Sequence, residues 1–130
     1  MMVTLQALVL IALAGGAGSI ARVVLSGWIA QHRGAPFGIW AVNLSGSLVI
    51  GLAFAALTTG GTGPGDLRLL LITMGFLGGF TTVSTFALQV LDLVQDGALR
   101  RAGVLALGSA LSCPLAALAG FGVGAALGAS

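Results

Sequence analysis

The stretch GFLGGFTTVSTF, residues 75–86, places two adjacent glycines and then Thr81, Thr82, Ser84 and Thr85 inside a run that is otherwise apolar. How that run reads decides the fold. No charge occurs between residues 69 and 91, which leaves room for the roughly 20 apolar residues a membrane-spanning helix requires. Outward from it, charges fall only at Arg22, Arg33, Asp66, Arg68, Asp92, Asp96, Arg100 and Arg101, so that 1–21, 34–65 and 102–130 are further uncharged runs. Hydrophobic residues make up 58% of the 130 and charged ones 6%, with a mean hydropathy of +1.14. A soluble core does not use so much apolar surface, and the solvent implied is a bilayer.

The expected architecture is all-α: one membrane domain, 1–130, of four transmembrane helices near 4–28, 38–58, 68–94 and 102–127. The connections are punctuated by QHRGAP (31–36) and TTGGTGPGDL (58–67). In hydrocarbon the backbone must satisfy its own hydrogen bonds, which favours helices over an open sheet. Glycine, at 22 positions, weakens a soluble helix but lets membrane helices approach closely. Ala14, Gly18 and Arg22 recur at four-residue spacing, as do Asn43, Ser47 and Gly51, and Gly120, Gly124 and Gly128. Tight helix packing is the simplest reading of these stripes. ALAGGA (12–17) after an apolar run suggests a signal peptide, but a basic leading region is missing and the apolar run is long, so a retained helix is expected. The single cysteine, Cys113, is expected to be buried in its helix, and His32 to be solvated in a loop beside Arg33.

The formal charge of +2 and the pI near 10.1 come from five arginines. No basic cluster with interleaved aromatics points to nucleic acid. Arg33, Arg100 and Arg101 fall in the first and third connections and Arg68 at the second, with Arg22 near the end of the first helix. The positive-inside rule then puts the first and third loops in the cytoplasm and both termini outside. The bias is small enough that insertion in both orientations, and assembly as an antiparallel pair, is an alternative.

Polar side chains inside a membrane take partners from the bundle interior or a water-filled cavity. A Ser/Thr cluster beside Gly78 and Gly79 suggests a local break in the third helix, with backbone carbonyls freed for new donors or for a cation, as transporters use unwound carbonyls for Na⁺. A flexible glycine kink is the simpler alternative. Thr81, Thr85 and Gln89 would share one helical face, Asn43 and Ser47 another, and Ser109 with Ser112 a third. Such neutral groups suit a small hydrated ion that exchanges water for fixed hydrogen-bonding groups. No carboxylate lies in the middle of a span, since Asp92 and Asp96 fall at the end of the third, against a proton-coupled exporter, and no nucleophile, base and acid come together, against an enzyme.

Three stretches together resemble the Fluc/CrcB family of fluoride channels over nearly the whole chain: GGAGSIAR (15–22), GIWAVNLSGSLVIG (38–51) and, most specifically, GFLGGFTTVSTF (75–86). The resemblance implies passive export of cytoplasmic fluoride, in a cell membrane expected to be the bacterial inner membrane. It further implies an antiparallel dual-topology dimer with two pores and one structural, untransported Na⁺ at its centre. It assigns Gly78 and Thr81 carbonyls to the Na⁺, Asn43, Ser84, Thr85, Phe86 and Ser109 to the pore, and Arg22 to a vestibule. One residue departs: Val83 stands where the family pattern has a phenylalanine. Two alternatives follow, a non-conducting or half-conducting subunit that pairs with a paralogue, and, from another class, a small membrane scaffold. Pro114 also departs, removing a backbone donor and kinking the fourth helix.

Overall fold

The computed structural model describes residues 4–61, 63 and 65–128. It is all-helical in the order α1 (Leu5–Arg33), α2 (Ala35–Thr59), α3 (Leu67–Leu70), a π-helical segment (Leu71–Leu77), α4 (Gly78–Phe80), α5 (Val83–Gln95) and α6 (Leu99–Gly128). α3 through α5 together make one span, Leu67–Gln95, so the helices long and apolar enough to cross a membrane number four among the described residues. The chain is a multi-pass membrane protein. Thr62 and Pro64, within the glycine-rich connection expected at 58–67, lie outside the described residues.

The first connection is shorter than expected. Nothing in residues 29–33 breaks a helix, so α1 runs on to Arg33, and His32, expected in a loop, sits in its last turn with Nδ1 2.7 Å from the Trp28 carbonyl. Gly34 alone turns the chain, at φ +96°, a conformation that a side chain resists. α1 and α2 can then cross closely because Gly38 meets the Ser26 backbone, where a Cβ would collide with the Ser26 carbonyl.

Two pairings hold the bundle. α2 packs most extensively on α6, with Gly51 against the Ala117 carbonyl, Gly120 against that of Leu48 and Gly124 against that of Leu52. The Gly120, Gly124, Gly128 stripe is thus a packing surface, as its spacing suggested. α1 packs on the third span in the same manner, Gly18 facing the Phe76 carbonyl and Gly79 that of Gly15. With little apolar surface lost between helices in lipid, such backbone contact supplies dispersion that side chains would hold apart. Val42 is fully buried, and Ile39, Ala55, Leu77 and Phe80 are also buried in the core. Most other large apolar side chains, including Leu13, Ile20, Val24, Leu107 and Leu118, are exposed on the outside of the bundle, as lipid contact requires.

Gly78 and Gly79 do not break the third span. Both are helical, and the chain leaves the helix two residues later, where Thr81 (φ −84°, ψ 147°) and Thr82 (φ −149°, ψ 125°) are extended. Gly79 serves close approach to α1, where it meets the Gly15 carbonyl, whereas Gly78 is exposed; the turn out of the helix is held by side chains from other helices.

Candidate functional site

The extended pair is stabilised from two sides. From α2, Asn43 forms a reciprocal clasp with Thr82: its Nδ2 donates to the Thr82 carbonyl at 2.9 Å, and its Oδ1 accepts from the Thr82 N–H at 2.9 Å. The carboxamide thereby replaces the helical partners Thr82 has lost, and one of the two Nδ2 hydrogens is left over. From α1, Ser19 Oγ and Arg22 Nε both donate to the Gly79 carbonyl, at 3.2 and 3.3 Å. Arg22 also donates through a terminal guanidinium nitrogen to Thr85 Oγ1 at 3.3 Å. Downstream, Thr82 caps α5, its hydroxyl accepting from the Thr85 N–H.

Backbone groups near the pair change partners in consequence. Thr81 keeps a helical bond, N–H to the Leu77 carbonyl at 2.9 Å. The Thr82 N–H, which a continuous helix would send to the Gly78 carbonyl, goes to Asn43 instead. The Thr85 N–H, which would reach the Thr81 carbonyl, goes to the Thr82 hydroxyl. Gly78 and Thr81 therefore each carry a carbonyl whose helical donor has been diverted.

A cavity of about 450 Å³ opens beside this turn, lined by Asn43, Ser47, Thr81, Thr82, Phe86 and Ser109, with Val83, Cys113 and Pro114 at its wall. Four of the expected site residues, Asn43, Thr81, Phe86 and Ser109, meet there. Ser109 is 8% exposed and its hydroxyl has no partner, and a buried unpaired hydroxyl is costly unless something else binds it. No carboxylate lines the cavity, so nothing in its wall repels an anion.

The other expected residues lie off this wall. Gly78 is exposed on α4. Ser84 is exposed, its hydroxyl 3.1 Å from that of Thr82, and Thr85 faces Arg22. Thr81, Thr85 and Gln89 do not share a face, because the extended residues put Thr81 out of α5's register; Gln89 donates to the Ala35 carbonyl at 3.3 Å. Arg22 is not near a helix end. α1 continues to Arg33, and the guanidinium is half-buried against neutral oxygens in mid-span. Cys113, expected to be buried, is half-buried at the cavity wall, because α6 turns that face toward the open groove rather than toward α2.

Sequence reasoning missed Ser19 and gave Thr82 no role of its own. Ser19 lies one turn before Arg22, and that shared face was the available signal. Thr82 had none, since its conformation depends on an asparagine 39 positions away.

Comparisons with known proteins identify the family. The family model described as "CrcB-like protein, Camphor Resistance (CrcB)" matches residues 9–121. A protein of Opitutus terrae named fluoride-specific ion channel FluC is 46% identical over 115 residues, covering 82% of this chain and 83% of that protein. One of the same name from Syntrophotalea carbinolica is 42% identical over 98 residues, 74% and 79% of the two chains. Fluoride-specific ion channel FluC 4 of Brucella abortus is 38% identical over 122 residues, 92% of each. With four spans, a family-model match over residues 9–121 and relatives 38–46% identical across most of its length, the chain belongs to the CrcB family.

Proposed function

We propose that the protein is a fluoride channel through which the anion leaves the cytoplasm passively. The observation that carries this reading is the cavity beside the extended Thr81–Thr82 pair, with a buried, unpartnered Ser109 hydroxyl and no carboxylate in its wall. A fluoride ion entering it exchanges water for fixed donors. Ser109 offers its hydroxyl, and Asn43 the Nδ2 hydrogen not used in the clasp. Phe86 supplies the electropositive edge of its ring. Arg22, fixed on the far side of the same turn, adds a positive potential that raises the local anion concentration. Relatives that carry the name fluoride-specific ion channel support the choice of ion.

A single copy leaves the cavity open on one side, and we propose that a second copy in the opposite orientation closes it. The diverted Gly78 and Thr81 carbonyls fit a structural Na⁺ at such an interface, being neutral hard oxygens without their helical donors. When bound, that ion supplies a fixed positive charge shared by the two copies.

The second reading, a subunit that pairs with a paralogue, is favoured by Val83. It is 79% exposed at the cavity wall, where an aromatic ring would have room. Numbered names among relatives, FluC 4 of Brucella abortus and FluC 3 of Brucella suis, accord with it.

Expression in a bacterium lacking its own fluoride exporter tests both. Growth in fluoride medium restored by this chain alone supports a working homodimer. Restoration only by Val83→Phe supports the paired subunit. Failure of both, with protein present in the membrane, rejects the channel reading.

A further inference from the structure

A second cavity, of about 380 Å³, lies between α2 and α6 away from the extended turn, and its lining includes Phe37, Trp40, Val104, Leu105, Gly108 and Arg101. Its wall is apolar apart from the arginine and Ser112. The Trp40 indole N–H is already used, donating to Ser112 Oγ at 3.1 Å, which leaves the guanidinium as the donor still seeking a partner. Arg100 and Arg101 stand in the first turn of α6, where the helix dipole is already positive and a cation is disfavoured. Neither is compensated within the chain: Asp92 and Asp96 lie nearby in sequence, yet among the described residues the one ion pair is Asp66 with Arg68.

An apolar cleft with an uncompensated cation at the end of a span matches one membrane component, a lipid with an anionic head and an acyl tail. We propose that this cleft binds an anionic phospholipid, its phosphate on Arg101, one chain lying along Trp40 and over Gly108. Arginines that served only to orient the chain across the membrane would need no such cleft and would show no preference among lipids near Trp40.

The chain has two tryptophans, so a Trp28→Phe background leaves Trp40 as the reporter. Its fluorescence is measured in bilayers containing increasing fractions of phosphatidylglycerol or phosphatidylcholine brominated on the acyl chains. The expected result is quenching by the anionic lipid at a mole fraction about fivefold lower, the gain for one arginine near a lipid headgroup. Arg101→Gln, an exposed change, removes that preference. A Cβ at Gly108 meets open space, so Gly108→Leu fills the cleft without collision and removes the quenching, whereas Gly103→Leu, equally open but outside the cleft, leaves it intact. Equal quenching by the two lipids overturns the proposal in favour of ordinary bilayer contact. Absence of quenching by either also overturns it, since protein then covers the cleft. Neither outcome bears on fluoride conduction.

Discussion

The pairing of α2 with α6 and the pairing of α1 with the third span use the same contact, glycine against a facing carbonyl, yet only the second is interrupted. Along α2 and α6 the backbones stay helical despite Pro114. In the third span the chain leaves the helix for two residues, and hydrogen-bonding side chains converge there: Ser19 and Arg22 from α1, Asn43 from α2. The difference separates two properties that glycine-rich membrane sequences combine. Small residues set how closely helices approach; polar partners on neighbouring helices decide where one of them opens.

Breaking the regular pairing gives the largest effect. In Gly120→Leu the new side chain meets the Leu48 carbonyl and the Leu52 N–H, and overpacking of this kind costs about 3 kcal/mol or more. Unfolding in mixed micelles should show it, with Gly122→Leu, whose Cβ meets open space, nearly unchanged. At the interruption, Asn43→Leu removes both bonds to Thr82 and leaves its N–H and carbonyl without them, a loss of about 2 kcal/mol. Unlike Gly120→Leu, it should also raise hydrogen exchange specifically at Thr82 and Val83. Exchange unchanged there would show that the clasp does not hold the turn.

Arg22→Gln should cost about 1 kcal/mol, the loss of its charge-assisted hydrogen bonds partly replaced by the amide. Its signature lies in flux: fluoride release falls at low ionic strength, and the deficit shrinks as salt screens whatever long-range attraction the cation provides. The smallest effect lies outside both pairings. The Asp66 carboxyl caps α3, and the hydrogen bond from the Arg68 side chain, then that from its backbone N–H, holds its pKa below the ordinary 3.8. Because the folded value is lowered, the contribution is complete above 3.8 and is lost as pH falls through the lowered value. Asp66→Asn should therefore narrow the stability difference between neutral and strongly acidic solution, by an amount that solvent exposure keeps small.

These contrasts also show what could be read from the sequence. Four spans were legible because the bilayer imposes length and hydropathy on each of them separately. Asn43 and Ser109 were legible as polar side chains that a membrane tolerates only with partners or a cavity. The site of the interruption was not. Gly78 and Gly79 suggest its cause, but both are helical, and Gly79 serves contact with α1, visible only once Gly15 lies opposite. Arg22 was placed at a helix end because a charge in an apolar run reads as a boundary. Its acceptors, Gly79 and Thr85, lie 57 and 63 residues away, beyond the reach of any local pattern.

The central claim is that the cavity beside Thr81 and Thr82 passes fluoride. Efflux from liposomes reconstituted with the chain, and in parallel with Val83→Phe, tests it most directly, read with a fluoride electrode in Na⁺ buffer against chloride release. The account predicts fluoride release far above that of protein-free liposomes in at least one of the two preparations, with chloride at the background rate. Background fluoride release from both, by protein shown to be folded, would contradict it.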